Sequence, residues 1–125
     1  MRQIKFRCWN GEQMVSPDYI TRDGTAWWKE NSIPTSSTTL LQFTGLLDKN
    51  SKEIYEGDII KTYQGFILTV DFEYGAFILK NKQETYSTLL GWQSDYESNE
   101  MDWTDLNDFE VIGNIYENSE LLNNE

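Results

Sequence analysis

Two carboxylates flank a glycine in Tyr55-Glu56-Gly57-Asp58, and paired Glu and Asp can do acid/base work or hold a metal ion. No further spacing gives them a chemical partner. Asp beside Gly is more often a turn, in which Gly57 permits the bend while Glu56 and Asp58 accept backbone N–H groups, and that use is expected here. A second acidic run, Asp95 to Asp102, alternates oxygens at 95, 97 and 99 as a calcium loop does. It carries Glu100 where such a loop needs Gly and Leu106 where it needs a bidentate carboxylate, so a solvated charge run is expected instead. The chain has no His and one Cys, Cys8. Ser-His-Asp and Cys-His catalysis, Cys/His zinc sites and an internal disulfide are thereby excluded. Without a His beside it, Cys8 is expected to be a small buried hydrophobe. Gly113-Asn114, inside an apolar stretch, is expected to be a bulge. No catalytic residue, cofactor or metal ion is expected.

The charge is unevenly placed. The 125 residues carry 10 Lys+Arg and 21 Asp+Glu, a formal charge of −11. Residues 1–82 hold all ten bases and ten of the acids, whereas 83–125 hold eleven acids and no base. A chain this acidic is repelled by nucleic acid and by anionic membranes, so neither is an expected partner. An aromatic share of 14% supplies apolar area for a small core and argues against disorder. No apolar run approaches a membrane span and the N-terminus lacks the apolar stretch of a signal peptide, which together with the single Cys predicts a cytoplasmic protein.

These residues need a scaffold, and the patterning makes it mainly β. Ile4 to Trp9 alternates apolar and polar residues, Asn10-Gly11 offers a turn, and Glu12 to Val15 returns, which predicts an N-terminal β-hairpin. Residues 16–38 read as loop with one short strand near Trp27-Trp28. Leu40 to Thr44 reads as a strand interrupted by Gly45, followed by a polar turn at Asp48–Lys52. Glu53 to Lys61 bends at Gly57. Phe66 to Phe72 and Ala76 to Leu79 are strands joined at Glu73-Tyr74-Gly75. Short strands at such spacing predict a small SH3-like or OB-like barrel or pseudobarrel, with residues 40–80 as its centre. Residues 83–125 form an acidic closing segment of the same single domain. In it Tyr86 to Trp92 is a strand or helical turn, Ser94 to Asp102 an exposed loop, Asp102 a helix cap and Phe109 to Tyr116 a closing strand. Asn118 caps a short terminal helix over Ser119 to Leu122.

Three blocks of the chain resemble the YopX family of small phage-encoded proteins. The first is Ile4-Lys5-Phe6-Arg7 with Trp9. The second runs from Leu41 through Gly45 and Asp48-Lys49-Asn50 to Tyr55-Glu56-Gly57-Asp58-Ile59-Ile60, and the third is Val111 to Asn118 with Leu121-Leu122. Gly45, Tyr55, Glu56, Gly57, Asp58, Gly113, Asn114 and Tyr116 are the motif positions, expected to serve structure. Ser51 stands where the family usually has Gly, which disfavours a type I′ turn at Asn50-Ser51, and Ser119 where Pro is common. The resemblance implies a phage or prophage accessory protein in a bacterial cytoplasm, with no established activity or cofactor.

Three functions fit these residues. The leading expectation is a non-enzymatic interaction module, its aromatic-rich surface engaging a host or phage protein or a second copy of the chain. The next is an acidic decoy for a host nucleic-acid-binding protein, presenting Asp95, Glu97, Glu100, Asp102 and Asp105 in place of phosphates. The third is a barrel that binds nucleic acid through Lys5, Arg7, Lys49, Lys52 and Lys61.

Overall fold

The structure, a computed structural model, describes residues 3–62, 65–73, 75–80, 85–88 and 109–124. It is mainly β, with a curled half-barrel sheet and a short C-terminal 3-10 helix. Two compact units divide the chain, Met1–Phe43 and Thr44–Glu125.

In the first unit the expected N-terminal hairpin forms. Strand β1 (Phe6–Trp9) pairs antiparallel with the two-residue β2 (Met14–Val15), Cys8 opposite Val15. Asn10 builds the turn between them, its Oδ1 accepting the N–H groups of Glu12 and Gln13 at 2.7 and 2.8 Å. On its other side β1 pairs with the start of β6 (Leu40–Leu47). Residues 16–38, expected as loop with one short strand near Trp27-Trp28, build a three-stranded sheet of β3 (Tyr19–Ile20), β4 (Ala26–Glu30) and β5 (Ile33–Ser37): the expected strand is β4, in the middle, and the two strands that flank it stand where loop is expected. The turn between β4 and β5 is Asn31-Ser32, both at positive φ (53° and 69°), the two-residue connection whose twist matches a hairpin. Serine in the usual place of glycine hides that turn from a sequence reading. Pro34 is tolerated because β5 is an edge strand of this sheet. Alternation then sorts β4: Ala26 and Trp28 are buried with Cys8, against Val15 and Leu40, in a small core, and Trp27 points to the other face. Cys8 is fully buried there, and burial pushes its thiol pKa up, as expected of a packed hydrophobe.

The second unit holds the larger core. Strands β8 (Asp58–Lys61), β9 (Ile67–Glu73), β10 (Ala76–Lys80), β11 (Thr85–Thr88) and β12 (Glu110–Asn114) form one antiparallel sheet in the order β11-β10-β9-β8-β12. Thus the end of the chain does not extend the meander but adds beside β8, at the opposite edge from β11. Ile60, Leu68, Val70 and Leu79 share the inward face and pack with Ile54 and Phe109, all buried. Phe77 extends that face and meets Phe72 edge to face at 4.9 Å between ring centroids. Strand β6 does not stop at Gly45 as expected but runs on to Leu47, with Gly45 exposed at φ 91°. There Thr44 Oγ1 donates to Ile54 O at 2.8 Å, tying β6 to β7 (Glu53–Tyr55).

The terminal helix is a 3-10 helix over Ser119–Asn124. Asn118 does not cap it with its side chain: Oδ1 turns back to accept the Asn114 N–H at 3.2 Å, and its backbone O accepts from Leu121 N at 2.9 Å. Among the described residues no helix is long and apolar enough to cross a membrane. The expected acidic loop at Ser94–Asp102, the Asp102 cap and the continuation of Tyr86–Trp92 beyond Thr88 lie outside the described residues.

Candidate interaction surface

The motif residues converge, although 55–58 and 113–116 are far apart in sequence. Asp58 and Asn114 are directly opposed in the β8–β12 register, and Ile115 N donates to Gly57 O at 2.9 Å. Gly57 sits at φ 89° in the turn between β7 and β8, a conformation costly for any residue with a Cβ, and its own N–H donates to Val70 O at 2.8 Å. Asp58 is buried, 2% exposed, and its Oδ2 accepts the Tyr55 N–H at 2.7 Å, closing that turn from inside. Glu56 is half-buried in the same turn, and Tyr55 donates its hydroxyl to Glu53 Oε1 at 3.1 Å. Asn114, also buried, folds the next turn by accepting the N–H groups of Tyr116 and Glu117 on Oδ1 at 3.0 and 2.9 Å. Gly113 follows the bulge expected at this point, where the register skips one residue between Val111 and Gly113. A Cβ on Gly113 would stand 2.5 Å from Asn118 Oδ1, so the close approach of Asn118 requires glycine here. Tyr116 and Ile115 are left at the surface of that turn. Asp58 Oδ2 and Asn114 Oδ1 thus each accept backbone amides of the turn beside them.

Asp48 is a further member that sequence reading assigns only to a turn. Its Oδ1 accepts from Asn50 N and Lys52 N, and its Oδ2 from Val111 N, all at 2.8 Å. Lys49 N donates to Phe109 O at 2.8 Å alongside. The turn plugs the outward-facing polar groups at the start of β12, which as an edge strand would otherwise present them to another chain. Burial by itself raises the Asp48 pKa, but the three N–H donors outweigh it and hold the carboxyl below its usual range. The turn is not the type I′ turn considered for Asn50-Ser51. Of the two only Ser51 has positive φ, 66°, and Ser51 N donates to Asp48 O at 3.0 Å, a type I turn followed by a left-handed residue.

The cations considered for nucleic-acid binding are divided between the units. Lys5 stands over the Phe43 ring at 5.6 Å in the first, where Arg7 also lies on β1. In the second, Lys49 meets Glu110 at 3.7 Å and Lys61 lies across from Glu110 in register; Lys52 is exposed beside them in the Asp48 turn. The described cations of that unit are thus interleaved with acids, as Lys80 is with Asp71 and Glu73. Asp95, Glu97, Glu100, Asp102 and Asp105, the proposed decoy surface, lie outside the described residues. Among the described residues no three His, Cys, Asp or Glu side chains group as a metal site would.

What the sequence hides and the structure places is the aromatic face. Tyr19 and Trp27 are register partners on β3 and β4, and their rings stack, 11° from parallel with centroids 6.4 Å apart. Because Ala26 and Trp28 take the inner side, this pair, with Lys29 and its register partner Pro34, occupies the outer side of the three-stranded sheet. Tyr19 is 60% exposed. Tyr and Trp rings placed together on a sheet face are of the residue types enriched at the centre of protein interfaces.

The fold, then, is that of a small mainly β protein whose sequence motifs secure strand edges and turns. The chain matches the YopX protein family over residues 5–123 and belongs to it. Among solved structures it is similar to the crystal structure of protein EF1440 from Enterococcus faecalis, with 23% identity, a TM-score of 0.57, and 98% of this chain and 99% of that one covered. That likeness is one of fold. A comparison with curated proteins gave no match.

Proposed function

We propose that the protein is a phage or prophage accessory protein that works in the bacterial cytoplasm as a non-enzymatic protein-interaction module. Membership of the YopX family supports the origin. The stacked pair of exposed Tyr19 and half-buried Trp27 carries the interaction reading, because Tyr and Trp dominate binding energy where their rings become buried by a partner. The partner is a host or phage protein, or a second copy of the chain.

Affinity capture from infected or prophage-carrying cells, with wild type and Tyr19→Ala run in parallel, tests this. A defined partner held by wild type and lost with the variant is the expected result. Capture of nothing specific, together with a monomer in sedimentation, overturns it.

A further inference from the structure

Asn10-Gly11 is the only Asn-Gly pair in the chain, and the first hairpin turn prepares it for a reaction with its own backbone. Asn10 Oδ1 accepts from Glu12 N at 2.7 Å and from Gln13 N at 2.8 Å, which folds the side chain over the Gly11 peptide. When the Gly11 nitrogen adds to Asn10 Cγ, the negative charge develops on Oδ1, where two N–H donors already stand at the distance of an oxyanion hole. Gly11 is exposed, a Cβ built on it would meet nothing within 4 Å, and among the described residues none accepts its N–H. Hydroxide therefore reaches that proton, and no side chain on Gly11 obstructs ring closure. The nitrogen that would leave, Asn10 Nδ2, donates to Glu30 Oε1 across a long 3.4 Å.

Asn114 provides a control in the same molecule. Its Oδ1 accepts from the same relative positions, Tyr116 N and Glu117 N, at 3.0 and 2.9 Å. There, however, Ile115 N donates to Gly57 O at 2.9 Å and Asn114 is buried, while the β-branched Ile115 crowds its own nitrogen. The two asparagines share a cradle and differ in the nucleophile beside it.

We propose that Asn10 is a site of spontaneous deamidation, which removes the bond between the first hairpin turn and the end of β4. Hydroxide takes the Gly11 amide proton, the nitrogen bonds to Asn10 Cγ, and the Cγ–Nδ2 bond breaks, Nδ2 leaving as ammonia with a proton from water. Water then opens the succinimide at either carbonyl, giving aspartate or isoaspartate. Either product loses the Nδ2 donor and adds a negative charge near Glu30. The isoaspartate also lengthens the backbone of the turn by one methylene.

The test holds the full chain at mildly alkaline pH, native and in urea, and follows each asparagine by peptide mass spectrometry with isoaspartate labelling. In the native chain Asn10 should be lost at least as fast as in urea, with the rate rising about tenfold per pH unit as the deprotonated nitrogen does. Asn114 should stay intact. Hydrogen exchange in the converted chain should quicken at residues 10–13 and at Glu30. Slower loss of Asn10 in the native chain than in urea, loss of Asn114 alongside it, or unchanged exchange after conversion overturns the proposal.

Discussion

The carboxylate of Asp48 accepts the backbone N–H of Val111 at 2.8 Å across 63 residues of sequence. The same carboxylate holds its own turn through Asn50 N and Lys52 N. One buried side chain therefore bonds both the β6–β7 turn and the closing strand.

This relationship gives the protein an acid-sensitive joint. Folded Asp48 has a lowered pKa, whereas in the unfolded chain it titrates near the ordinary aspartate value of about 3.9. In acid the unfolded state thus binds the extra proton, so the contribution of Asp48 is complete above about pH 4 and is lost as pH falls from there through its lower native value. Asp48→Asn should lower stability at pH 7 by about 2–3 kcal/mol, since one of three charge-assisted bonds meets an amide N–H instead. It should also flatten the acid limb of stability. Urea denaturation between pH 2 and 7 checks both, and an unchanged acid limb would contradict the role given to Asp48.

Ser32 and Ser51 both occupy left-handed backbone, at φ 69° and 66°, where a side chain costs about 1–3 kcal/mol and glycine little. After the entropy glycine loses on folding, Ser51→Gly and Ser32→Gly should each add about 0.5–1 kcal/mol. That corresponds to a rise of about 2–4 °C in Tm for a domain of this size. Scanning calorimetry reads the change, and a fall in Tm would show that the turns do not hold this backbone.

Gly113→Ala places a methyl 2.5 Å from Asn118 Oδ1. That oxygen is bonded to Asn114 N, so relief of the clash disturbs the turn after β12. A loss of about 1–3 kcal/mol is expected, the usual range for overpacking. Hydrogen exchange should show the faster opening first at 114–118, and uniform protection there would reject the account.

Tyr19→Ala separates binding from folding. With the side chain 60% exposed, the variant should stay within about 0.5 kcal/mol of wild-type stability. Its affinity for the captured partner should fall by about 2 kcal/mol or more, as at interface hot spots. Calorimetry of the complex and of the free protein measures the two effects side by side.

Alternation and turn residues in the sequence determine much of the protein: β1 and its hairpin, the strands from Leu40 to Lys80, the Gly57 bend, the Gly113 bulge and the buried Cys8. These are local signals, set by residue type against the period of a strand. In residues 16–38 only the middle strand, at Trp27-Trp28, is legible; its two partners escape that reading because Ser32 replaces glycine in the tight turn and β3 is only two residues long. Tertiary structure alone decides the rest. Which side of β4 meets Cys8 sets whether Trp27 or Trp28 faces out, and so where the aromatic surface lies. Antiparallel addition of β12 beside β8 brings Asp58 opposite Asn114 and Val111 to Asp48. Such pairings depend on register between distant strands, where a shift of one residue exchanges the faces, and no local pattern carries that information.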